Sequence, residues 1–298
     1  MSHFDAFIMV DWSANNTPKI GKDSIWIAAT GGVLENPKTR RQARDLVHRL
    51  LATHVQAGRR VLVGFDFAYG YPSGFSDALR LNGSPTAWRR IWEFLRGFIR
   101  DDDANENNRF EAAASINETC GCPPGPFWAC PTGSATAALK ATKPKFPFNT
   151  QHHALAEYRH TDQALRQRGD QVHSVWKLFT AGSVGSQVLT GIPVVAALRD
   201  ERTFAPFSKV WPFETGFVER VCPDKGPFVL HAEIWPGIVK PRPEVHKVRD
   251  AAQVFTLVEY LSGLDQQGKL GDLFKAPQGL DPIALRTCLD EEGWILGA

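Results

Sequence analysis

No sign of charge dominates this sequence: its 298 residues carry 34 Lys and Arg against 32 Asp and Glu, a net charge of +2. It therefore generates no global field for gripping a polyanion, and any hold on nucleic acid has to come from a local patch. Long apolar runs are missing too. No stretch approaches the roughly 20 apolar residues that cross a bilayer, so no membrane partner is expected. The opening MSHFDAFIMVDWSA lacks the basic flank and the apolar core of about 7–15 residues that mark a signal peptide. Five cysteines, an odd number with no export signal, fit a reducing compartment. The expected location is the cytoplasm. Fixed-period repeats and low-complexity segments are also lacking.

What is present is the balance of an ordinary globular chain, with 43% hydrophobic and 22% charged residues. Residues 4–10 (FDAFIMV) predict a buried strand that ends on Asp11. SIWIAAT (24–30) predicts a second strand, Gly31-Gly32 a hairpin turn and Val33 onward a short third strand. Ala43, Leu46, Val47, Leu50 and Leu51 then repeat at helical spacing, with Gly58 as the stop. VLVGFDF (61–67) follows, another apolar run carrying an acid, Asp66.

The pattern changes after that. Residues 85–117 and 151–168 predict helices, 118–150 a loop rich in Pro, Gly, Cys and Thr, and 174–198 an apolar segment punctuated by glycine. Strand character returns in FVLHAEIWP (228–236), which carries Glu233, before a strong helix over 246–263 and a short one around 281–290. The expected fold is α/β, with a β-β-β-α-β start to a mixed sheet. Residues 1–67 and 206–298 form the core in this reading, and 68–205 a large, mainly helical insertion or cap.

Four acids stand where apolar sequence would be expected: Asp11, Asp66, Glu233 and Asp250. The helix bearing Asp250 is apolar on much of its circumference and should be largely buried. Burying several carboxylates together is costly through desolvation and mutual repulsion. A hard divalent cation such as Mg²⁺ or Mn²⁺ relieves both penalties, because it prefers carboxylate oxygen. Each acid also has a plainer reading: a strand-end cap for Asp11, an Asx-turn for Asp66, a lysine pair for Glu233, a helix-dipole partner for Asp250.

The motifs VDWSA, GFDFAYGYP, HAEIWP and KVRDAAQVF resemble, in order, the four acidic motifs of a family described as predicted RNase H-like nucleases. Arg159-His160-Thr161-Asp162 and KLFTAGSVGSQ (177–187) are similar to two further motifs of that family. One departure is that Phe67-Ala68-Tyr69-Gly70-Tyr71 separates Asp66 from Pro72, where relatives often place proline sooner. The resemblance implies an RNase H-like core and a metal site built from Asp11, Asp66, Glu233 and Asp250. The family label rests on fold and acids, so it transfers a fold more securely than a substrate.

Other candidates are less specific. Arg159 and Lys177 could hold a phosphate beside Asp162, or form an ordinary charged helix face. GSVGSQ (182–187) could cradle phosphate at a helix start, but it lacks the ending of a P-loop and does not clearly follow a strand, so close packing through small residues is the better explanation. Arg109 or Glu111 could face the cleft or merely cap a helix. Trp12, next to Asp11, could stack on a base. Cys120, Cys122 and Cys130 with His152 and His153 offer zinc donors, but without the usual C-x₂-C knuckle, so ordinary thiols are preferred to structural zinc.

These features favour a divalent-metal-dependent phosphodiester hydrolase or nuclease, acting on nucleic acid or a nucleotide-like phosphate substrate. A small-molecule nucleotide or cofactor phosphohydrolase or phosphotransferase on the same fold is the second reading. The glycine-rich phosphate loop of actin-like kinases is not found after the first strand, since DWSANNTPK contains no glycine. A non-catalytic binding protein is the third.

Overall fold

Strands form where apolar residues are bounded by turn formers, and the computed structural model describes them within residues 2–121, 124–151 and 153–298. β1 (Ala6–Asp11) buries its first five residues and releases only Asp11. Gly31 and Gly32, at φ +91° and +81°, make the turn between β2 (Trp26–Ala29) and β3 (Val33–Glu35). Left-handed geometry of this kind suits glycine, which has no Cβ to clash. Thr39 caps α1 (Arg40–Gln56) by accepting the Gln42 N–H. Ala43, Val47 and Leu51 form the buried stripe of that helix. β4 (Arg60–Phe65) follows after the turn at Gly58.

The next segment supplies α2 (Phe75–Ala78), α3 (Ala87–Phe98), α4 (Arg109–Cys120), a small sheet of β5 (Phe148–Asn149) and β6 (Ala154–Leu155), and α5 (His160–Gln167). α6 (Val184–Arg199), β7 (Ser208–Val210), β8 (Phe228–Glu233), α7 (Arg249–Gln266) and α8 (Pro282–Thr287) complete the order.

Two expected helices differ from those observed, and one strand of the main sheet has no counterpart in the sequence reading. The helix expected over 85–117 is split into α3 and α4, because Asp102 Oδ1 accepts the N–H groups of Ala104 and Glu106 and turns the chain. Arg40 then fixes the turn through a two-point ion pair with Asp101. The helix expected over 151–168 is shorter, since β6 and an extended stretch precede α5. β7 was not anticipated; three residues at a sheet edge give too little alternation to read.

The main sheet has the order β3-β2-β1-β4-β8-β7. β2 is antiparallel to both neighbours, and β1, β4, β8 and β7 run parallel. Side chains alternate across such a sheet, and the alternation divides the core in two. Ala6, Ile8, Val10, Val61, Val63 and Phe65 pack with α1, α3 and α6, while Phe7, Met9, Leu62, Leu230 and Ala232 pack with α7. The chain is therefore an α/β protein with helices on both faces of a mixed six-stranded sheet. Among the described residues no helix is long and apolar enough to cross a membrane.

Candidate functional site

Two parallel strands bring the first two acids side by side. Val10 on β1 is in register with Phe65 on β4, and the Asp66 N–H continues the ladder by donating to the Val10 carbonyl at 3.2 Å. Val10 and Phe65 face the α1 side, so alternation sends Asp11 and Asp66 toward the α7 side. There α7 begins, with Asp250 in its first turn. All three carboxylates are partly exposed and line one cavity of about 630 Å³ at the carboxyl ends of β1 and β4. That is where open α/β sheets place ligands.

Burial and mutual repulsion both work against the charged forms of these carboxylates. Burial pushes the Asp11 carboxyl well above the usual carboxylate range, and the charges of Asp66, Asp250 and Asp23 raise it further. Burial pushes Asp66 up to about 7, against the pull of the Trp12 N–H and its own N–H and with added repulsion from Asp250. The Trp12 N–H donates to Asp66 Oδ1 at 2.6 Å, and the Asp23 N–H to Asp250 Oδ2 at 3.0 Å. Among the described residues no Lys, Arg or His forms an ion pair with Asp11, Asp66 or Asp250.

The remaining walls come from the β1–β2 loop and from residues 178–187. Arg40 holds the loop in place: its Nη1 donates to the carbonyls of Ser13 (3.1 Å) and Asn15 (2.8 Å). Asn15 in turn donates through Nδ2 to the Asp23 carbonyl at 2.7 Å. Asp23 thereby becomes a fourth acid at the cavity. Nothing in its sequence neighbourhood, KIGKDS, set it apart from a surface turn. Arg109, at the start of α4, also lines the cavity.

Glu233 does not join this group, which corrects its expected place among the metal ligands. It lies in register with Phe65, one position before the level of Asp66, and so faces the opposite side of the sheet. There Arg159 grips it with two hydrogen bonds of 2.7 Å, from Nη1 to Oε2 and from Nη2 to Oε1. The Tyr69 N–H adds a third at 3.0 Å. Arg159 and Asp162 are likewise not substrate contacts in this geometry. Nη2 and Nε of Arg159 also reach Asp162 at 2.9 and 3.1 Å, so one buried guanidinium is shared between two buried carboxylates.

Lys177 points elsewhere as well: its Nζ donates to the Ala181 carbonyl at 2.6 Å, and it does not line the cavity. Trp12 touches the cavity, but it is 1% exposed and its Nε1 donates to Thr190 Oγ1 at 3.2 Å. It is a wall and offers no free stacking face. The accessible aromatic of the lining is Phe179, 42% exposed.

Of the cysteine-rich loop, Cys122 and His152 lie outside the described residues. Cys120 and Cys130 are buried, and burial pushes the Cys120 thiol up to about 12. A cluster not foreseen brings His160, Cys288 and Glu292 together, with their donor atoms within 4.8 Å of one another. Its carboxylate is already engaged, because Glu292 Oε2 accepts from the His160 N–H and meets His160 Nδ1, both at 2.7 Å.

No protein-family model, curated protein or solved structure matches the chain.

Proposed function

We propose that the protein is a divalent-metal-dependent phosphoester hydrolase on an RNase H-like core. The β1-β2-β3-α1-β4 start and the mixed sheet support the core. The observation that carries the chemistry is the convergence of Asp11, Asp66 and Asp250 on one cavity without a cationic partner among the described residues. An all-oxygen donor set, in which burial pushes up the carboxyls of Asp11 and Asp66, suits Mg²⁺ or Mn²⁺. When bound, such an ion supplies Lewis acidity toward a phosphoryl oxygen and stabilises the charge developing there.

Asp11 and Asp66 hold the cation from the sheet, and Asp250 from α7. The Trp12 N–H donates to Asp66 Oδ1 and so fixes the orientation of a carboxylate that would help hold the ion. Asp23 sits at the rim, where its backbone N–H orients Asp250.

The test is hydrolysis of bis(p-nitrophenyl) phosphate with Mn²⁺, comparing the wild type with Asp11→Asn and Asp66→Asn. Loss of on the order of 100-fold or more in each variant is expected for removal of a metal-holding group. Equal metal-dependent rates in all three proteins would remove the proposal.

A further inference from the structure

Carboxylates repel a phosphate, so the site proposed above needs a separate group to hold its substrate. Arg109 is the one cationic side chain among the described residues that line the cavity. It is only 8% exposed, yet no carboxylate among the described residues lies within ion-pair distance of it. Nε donates to Ser186 Oγ at 2.9 Å, and Nη1 donates to the side-chain oxygens of Asn107, at 2.9 Å, and Asn16. Nη2 donates to nothing among the described residues. Burial, followed by repulsion from Arg40, lowers its pKa to about 10, which leaves it charged at neutral pH. Its charge is offset only in part, by the more distant Asp101 and by the Phe110 ring 4.3 Å from Cζ, and a bound anion would complete the balance.

The start of α6 lies beside this guanidinium. Gly182 turns the chain at φ +73°, a position where a Cβ would meet the His173 ring at 2.4 Å. Gly185 permits close approach to the preceding strand-like segment, and its N–H donates to the Lys177 carbonyl at 2.9 Å. The Ser186 N–H donates to the Ser183 carbonyl at 3.1 Å. The N–H groups of Ser183 and Val184 have no acceptor among the described residues. They head a helix of 16 residues, whose aligned peptide dipoles favour an anion at this end. Ser186 joins the two features, accepting from Arg109 and donating to the Leu178 carbonyl.

We propose that Arg109 Nη2 and the N–H groups of Ser183 and Val184 form a phosphate-binding subsite for a small organic phosphate of nucleotide size. The consequence for catalysis rests on the metal-dependent reading; the binding itself does not. A long polynucleotide is the less suitable ligand, because it must have many phosphates neutralised and the lining supplies one cation. A cavity of about 630 Å³ matches small-ligand sites. Phe179 offers the exposed ring on which a planar group of such a ligand can rest.

Isothermal titration with inorganic phosphate, and separately with Mn²⁺, tests the subsite in the wild type, Arg109→Met and Asp11→Asn. Arg109→Met should weaken phosphate by about tenfold or more, the worth of hydrogen bonds to a charged group, and keep its Mn²⁺ affinity. Asp11→Asn should lose Mn²⁺ and keep phosphate. Unchanged phosphate affinity in Arg109→Met overturns the subsite. Retained Mn²⁺ in Asp11→Asn overturns the metal reading instead.

If loss of near-UV circular dichroism shows that Arg109→Met is misfolded, the wild type decides. Phosphate should shift the NMR signals of Arg109 Nε–H and of the Ser183 and Val184 amides, and fixed signals contradict the subsite. Adenosine monophosphate should displace phosphate at least as well as a single-stranded oligonucleotide does. An oligonucleotide more than about tenfold tighter, with a steep salt dependence, would overturn the small-ligand assignment.

Discussion

Glu233 ends β8 and Asp66 directly follows β4, its parallel neighbour, yet the two side chains leave the sheet on opposite faces, because Glu233 is in register with Phe65. One residue of offset decides their chemistry. Asp66 looks into the cavity toward α7, whereas Glu233 is enclosed with Arg159 and Asp162.

Glu233→Gln should therefore act on stability and leave the proposed metal site alone. Removing one charge from a buried pair costs about 3–5 kcal/mol, although the remaining contact between Arg159 and Asp162 places the expected loss at the lower end. Urea denaturation measures it. Mn²⁺ affinity of the folded variant should equal that of the wild type.

The same pair of acids shows what the sequence could reveal. Asp11 and Asp66 stood out because each ends an uninterrupted apolar run, IMV and VLVGF, and such runs become strands buried on both faces. Asp250 stood out because its helix is apolar on two sides. Glu233 stood out as an acid inside a strand pattern, FVLHAE, and belongs elsewhere, because relative register between strands so distant in sequence is a tertiary property. Arg109 could be noted only as one of two alternatives, since its meaning comes from Ser186, 77 positions away. The division of α3 from α4 was hidden for a similar reason: it depends on Arg40 holding Asp101.

Asp66 makes metal-free stability depend on pH. Its carboxyl is raised from 3.8 to about 7 in the folded protein, so between these values the native state binds more protons than the unfolded one. Stability falls as pH rises through that window. The contribution is on the order of 1–3 kcal/mol once solvent screening and coupling to Asp11 are allowed for. In chelator, Asp66→Asn should be more stable than the wild type at pH 7 and indistinguishable from it near pH 4. Thermal melts across this range check the prediction, and saturating Mn²⁺ should reverse the order at pH 7.

Gly185→Ala should disturb the cavity wall without touching an acid. A Cβ there would lie 2.4 Å from the Val175 carbonyl oxygen, a backbone atom that cannot rotate away. Overpacking of this kind costs roughly 1–3 kcal/mol, readable as a lower denaturation midpoint. Moving the start of α6 should also displace Ser186 from Arg109, so phosphate binding should weaken while Mn²⁺ binding persists.

The central claim, that Asp11, Asp66 and Asp250 form one metal-holding unit from which Glu233 is excluded, is tested most directly by a calorimetric Mn²⁺ titration. The proteins are the wild type, Asp11→Asn, Asp66→Asn, Asp250→Asn and Glu233→Gln, all confirmed folded by circular dichroism. Each Asp→Asn substitution is predicted to weaken Mn²⁺ by about tenfold or more, with Glu233→Gln matching the wild type. Wild-type affinity in the three Asn variants, or a loss confined to Glu233→Gln, would contradict it.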